Sequence, residues 1–180
     1  VAAAPLDKDS PEAFRLFGEH IPKETNPMTD KAKSAELILK LYDLRREEVM
    51  RQARNWFFTF NPESIEDIQR TAMGEHSAYF RMVTSYWDMA CSFVNHGAID
   101  AEMFNDAAGE HVFVFVKIQP FLEQMRSVGN PTYLQHLEKV VLEMPNSEML
   151  IARSREMSKR FAQMRAEAAG EQTGADAANA

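Results

Sequence analysis

Five histidines, one cysteine and 27 acidic side chains are the groups of this chain most able to carry chemistry. In a helical scaffold they would first suggest a di-iron carboxylate site. Such a site needs Glu-x-x-His pairs, because residues one turn apart face inward together. The residues three before His20, His76, His96, His111 and His136 are Phe17, Met73, Phe93, Ala108 and Tyr133. None is a carboxylate, and no His-Glu-x-x-His occurs. Glu75-His76 and Glu110-His111 are adjacent, so on a helix each pair points about 100° apart. Neither a metal nor a cofactor is expected. A Gly-rich phosphate loop, a Gly-x-Ser-x-Gly elbow and a Cys-x-x-Cys pair are all missing from the sequence. Cys91 falls among apolar neighbours, where a thiol is inert packing. No catalytic residue is assigned, and an enzyme of unrecognised type is the third functional reading.

The elements that must position these groups are helices. Ser10-Pro11-Glu12 reads as a helix start, with a cap, a first-turn proline and a carboxylate at the positive end. Residues 19–28 carry Pro22, Asn26 and Pro27 and read as a linker. Thr29-Asp30 opens a helix whose apolar positions run through Ile38, Tyr42, Val49, Ala53, Trp56 and Phe60, interrupted at Arg45. Asn61-Pro62-Glu63 repeats the start signal. The seam that follows, from Ile65 through His76, Tyr79, Val83, Tyr86 and Ala90 to Phe93, keeps a spacing of three or four. Its apolar face is wide enough to place the helix over about 75–96 at the centre, with Gly74 as a kink or split and His96-Gly97 as its end.

Asp100 caps a short helix to about Ala107. His111–Val116 resembles a strand, but nothing comparable exists to pair with it, and a lone strand is not stable. Val114, Phe115, Ile118, Phe121 and Leu122 instead share a helical face, bent at Pro120. Further helices are expected over about 131–143 and 147–169. The fold class is all-α: an irregular bundle of about six helices around the central one. The domain plan is 1–28 as a short helix and linker, 29–169 as the bundle, and 170–180 as a disordered tail.

Composition supports a real core. At 180 residues and 20.5 kDa, folding should bury about 70% of the extended surface. Apolar residues make up 45% and charged residues 26%, as in an ordinary globular domain. One cysteine cannot form an internal disulfide. A net charge of −7 argues against a non-specific nucleic-acid binder. No apolar run approaches a membrane span, the longest being Val112–Val116. A cytoplasmic location is favoured, with a signal or anchor upstream of Val1 left open.

Two surfaces carry functional readings. Four aromatics in five positions, Trp56, Phe57, Phe58 and Phe60, wrap their helix and cannot all face one core. They are the interface candidates. Together with surplus Met and Phe, 11 and 12 residues, they favour a non-catalytic bundle acting through protein–protein contacts, including self-association. The alternative is a small-molecule or lipid pocket beside the central helix, lined by Met82, Tyr86, Trp87, Met89 and Phe115 with His76 as polar anchor. Arg45, Arg46, Arg51 and Arg54 read as a solvated charged face. Arg153, Arg155, Lys159, Arg160 and Arg165 make the last helix basic and amphipathic.

Ala35-Glu36-Leu37, Leu41-Tyr42-Asp43-Leu44-Arg45-Arg46-Glu47, Trp56-Phe57-Phe58 and Phe93-Val94-Asn95-His96-Gly97-Ala98-Ile99-Asp100 together resemble an uncharacterised group of bacterial all-helical proteins, over residues 35–165. The resemblance implies a helical fold and a bacterial source. It brings no catalytic residues. Some of that group carry membrane segments ahead of the helical part, and this chain shows none.

Overall fold

The structure, a computed structural model, describes residues 27–178. The helix expected at 10–17 and nearly all of the linker at 19–28 lie outside the described residues. Every regular element described is helical. The first, α1, is Pro27–Arg46. It starts two residues before the expected Thr29, because Pro suits a first helical turn. A second helix, α2, is Glu48–Thr59.

One helix was expected from 29 to 60, but the chain breaks at Glu47. Its backbone turns extended, and its carboxylate accepts from the Met50 N–H at 2.8 Å. That capping bond, with help from the neighbouring backbone amides, lowers the Glu47 pKa below the ordinary carboxylate value.

Next come α3, Ile65–Met73, and α4, Ser77–Asn95. The cap of α3 is Ser64, in a reciprocal box with Asp67, rather than the earlier Asn61-Pro62-Glu63. Gly74 splits α3 from α4 outright. A Cβ there would sit 2.8 Å from the Arg70 carbonyl oxygen. At the far end of α4, Gly97 takes a φ of +71° while the Ala98 N–H closes back on the Phe93 carbonyl.

Asp100 caps α5, Ala101–Ala107, and its own N–H donates to Ser34 Oγ of α1 at 3.0 Å. The strand-like run forms α6, Glu110–Ile118. Pro120 lies in a 3-10 turn, Gln119–Phe121, that leads into α7, Leu122–Val128. The last two helices are α8, Gln135–Glu143, and α9, Ser147–Ala178. The helix expected at 131–143 thus begins four residues late. Residues 170–178 continue α9, where a tail was expected. Ala, Glu and Gln are strong helix formers, and they outweigh the cost of the intervening glycines.

The central place is shared. The expected central helix, α4, packs against α2, α3, α6 and α8, burying Phe80, Val83, Thr84, Trp87, Ala90 and Cys91 on one face. It keeps an outward stripe at Arg81, Ser85, Met89 and Phe93. The fully enclosed helix is α6, buried at every position from His111 to Ile118. A helix apolar all round must be enclosed, and α9, α8 and α4 supply the cover.

Candidate functional site

Enclosing α6 also encloses its polar groups, and their partners show what the interior can do. Glu110 opens the helix and lies almost fully buried. Arg54 of α2 grips it, with Nε at 2.9 and 3.0 Å from the two carboxylate oxygens. Arg45 of α1 stands 3.7 Å away, its guanidinium 5.3 Å from the ring centres of Tyr42 and Trp87. Trp87 Nε1 donates to Glu110 Oε1 at 3.4 Å. The side-chain hydrogen bond to Glu110 raises the Arg54 pKa above its ordinary value. Tyr86 donates to the Leu41 carbonyl at 2.7 Å, and burial pushes its phenol up to about 12. This network ties α1, α2, α4 and α6 together. The Glu110 carboxylate is spoken for by donors, which makes the cluster a latch rather than an acid–base pair.

His111 points elsewhere, as adjacent helical residues must. Its ring lies 5.8 Å from Trp87 and 5.2 Å from Phe104, fully buried, with neither nitrogen hydrogen-bonded. Burial pulls its pKa down to about 4, Arg45 adding to the effect.

At the other end of α6, Lys117 is 6% exposed. Its ammonium donates to the Phe57 and Phe58 carbonyls at 3.1 and 3.0 Å, to the Phe60 carbonyl, and to Asn61 Oδ1 at 3.1 Å. The ring of Phe113 lies 4.6 Å from it. These oxygens include the orphan carbonyls that end α2, the negative pole of that helix. Burial pulls the Lys117 pKa down to about 7, with Arg165 contributing, while the oxygen cage favours the charged form.

The interface candidates are mostly absorbed by the chain itself. Phe57 is buried. Trp56 stacks on Phe60 at 5.1 Å and on His76 at 5.0 Å, and Phe60 meets Phe80 edge-on. Phe58 is the most exposed of the four, at 38%, and it stacks on Phe113.

The pocket candidates differ in their surroundings. Phe115, Trp87 and Tyr86 are core, while Met89 is on the outward stripe of α4. His76 is part of the Trp56 stack and Met82 is half-buried. The four cavities described are lined by none of the six. Cys91 is buried with its thiol pKa raised, chiefly by desolvation. Among the described residues, no three His, Cys, Asp or Glu side chains form a metal-ligating group, and no helix is long and apolar enough to cross a membrane.

Sequence reasoning missed Glu110 and Lys117. The available signal was a single Glu and a single Lys bracketing an otherwise apolar run. It also left the outer face of α9 undervalued. There Met157, Phe161 and Met164 are 40%, 45% and 62% exposed, beside a packed face at Leu150, Ile151, Ser154, Ser158 and Ala162.

A family model described as a domain of unknown function, DUF4760, matches residues 32–144. That segment holds α2 through α8 and most of α1, while α9 follows it. No curated protein and no solved structure matches the chain.

Proposed function

The chain belongs to the DUF4760 family, and from that premise we propose that it is a non-catalytic, bacterial helical bundle that works through protein–protein contact. The contact element is α9, and its partner is a second copy of the chain. The observation that carries this reading is the uncovered row of Met157, Phe161 and Met164 on the helix that follows the family-matched segment.

Apolar side chains spaced by three and four on an exposed helix are what a partner surface buries. Charge adds to the case for a second copy. Residues 149–166 carry five cations against Glu156 alone, a net of +4 in a chain of net −7, so the remainder carries −11. A basic helix on one molecule therefore meets an acidic body on the next, which steers association and makes it salt-sensitive.

Light scattering across a wide concentration range at low and high salt tests this. The expected result is a dimer or larger species that weakens with salt and becomes monomeric on Phe161→Asp, with helicity by circular dichroism unchanged. A strict monomer at every concentration, or a Phe161→Asp variant that still associates as the parent does, overturns the reading.

A further inference from the structure

On the other flank of α9 lies a cavity of about 330 Å³, near the lower end of the range for ligand pockets. It is walled by Val116, Lys117 and Pro120 from α6 and its exit turn, by the Asn61–Glu63 corner, and by Arg155, Ser158, Lys159 and Ala162 of α9. Three cations line it against one carboxylate, Glu63. A fourth cation, Arg165, reaches the same Phe58 carbonyl oxygen that Lys117 holds, at 3.3 Å from either terminal nitrogen.

The partners of these cations are neutral. Lys117 bonds carbonyls and an amide, Arg155 bonds Gln119 Oε1, and Arg165 bonds a carbonyl. Among the described residues, none of the four has a carboxylate within ion-pair distance. The pairs found lie at Glu110, Asp67, Glu138 and Glu156. A buried ammonium without a counter-ion is costly, and buried charges are as a rule paired. Here Lys117, its ammonium held by neutral oxygens alone, lines a space with Arg155 and Lys159 whose remaining walls are largely apolar: Val116, Pro120, Pro62 and Ala162.

We infer that this cavity is a binding site for a small organic anion with an apolar body. A carboxylate or phosphate head would lie between Arg155 and Lys159, with the positive charge of Lys117 behind it, and a short alkyl or aryl portion against Val116 and Pro120. The Ser158 hydroxyl, which donates to Asn61 Oδ1 at 3.3 Å, adds a neutral polar group at the rim. The site does not depend on self-association. Met157, Phe161 and Met164 are not among the residues that line it.

Calorimetric titration of the full chain with octanoate, octyl phosphate, inorganic phosphate and octanol tests the site. The double substitution Arg155→Gln/Lys159→Gln changes only side chains on the exposed part of α9, so thermal unfolding should be unaltered. The expected result is saturable binding of octanoate or octyl phosphate. Octanol and inorganic phosphate should each bind at least about tenfold more weakly, and the double variant should lose affinity by a similar factor. Failure of both amphiphilic anions to bind overturns the inference, as does binding that the double substitution leaves unchanged. Inorganic phosphate binding as tightly as octyl phosphate overturns the apolar part of the assignment. Light scattering on the same samples keeps this outcome separate from that of the dimer.

Discussion

His111 shows how much a single buried group can tell about pH. Its imidazole lies against Trp87 and Phe104 with both nitrogens unpartnered. Desolvation by burial is the main cause that brings its pKa down to about 4, and the Ala108 backbone offsets part of this without reaching hydrogen-bond geometry. In the unfolded chain the ring takes its proton near 6.5. Between those values the unfolded state binds more protons, so the His111 contribution to stability is full above about pH 6.5 and is lost as pH drops through the folded value. Over that window the loss from this one group is on the order of 3 kcal/mol. Urea midpoints measured from pH 8 to 4 should show the slope. His111→Leu should flatten it and raise the midpoint at neutral pH, because an apolar side chain of similar size leaves no unsatisfied nitrogen. A variant with the parent's slope would assign the effect to another group.

The elements depend on polar groups that arrive from other elements, and this decides both their stability and how far they were legible. Lys117 of α6 closes the end of α2 by bonding the Phe57, Phe58 and Phe60 carbonyls. Lys117→Met keeps the apolar stem and removes the donors, so it should cost about 2–3 kcal/mol in chemical denaturation. Hydrogen exchange should rise first at the last turn of α2. Loss of protection spread evenly over the chain would contradict the local role.

The same dependence explains the reading errors. Gly74 and Gly97 were legible because glycine marks a break in its own sequence. Glu47 was not, since a glutamate rarely caps a helix through its side chain. Nor was the start of α8. Leu134, at a φ of +54°, holds the chain out of the helix, and the first amides, His136 and Leu137, donate to Asp88 of α4 at 3.0 and 2.9 Å. That cap lies 48 residues away in sequence, beyond any local pattern. The aromatic cluster at 56–60 misled in the opposite direction. Its surplus rings look outward in the sequence, yet the cap and first turn of α4 supply His76, Tyr79 and Phe80 as partners. The candidate sites followed the same rule. The basic, amphipathic character of the last helix could be read from its residues, but the cavity it forms with Lys117 required the Asn61–Glu63 corner, α6 and α9 to meet.

At the scale of the whole molecule, the family-matched segment and the physical core have different limits. The match ends at Met144, yet α6, the most enclosed helix, packs against α9, which begins at Ser147. Ile151 of α9 is 8% exposed and belongs to the same core as Val114 and Phe115, with Leu150 packed against it. Burying side chains of this size contributes about 1.5–3 kcal/mol each, set against a total of roughly 5–15 kcal/mol for a domain. A chain ending at Met144 should therefore lose about 3–5 kcal/mol, with a lower urea midpoint and binding of a hydrophobic dye to the uncovered flank of α6. A chain ending at Glu167 retains Ile151, the cavity wall and the Met157–Met164 row, and should match the parent in midpoint. If the chain ending at Met144 kept the parent's midpoint, α6 would be closed without α9. The packing of Leu150 and Ile151 instead makes α9 part of the core. One flank of the same helix walls the cationic cavity, and the other leaves Met157, Phe161 and Met164 exposed.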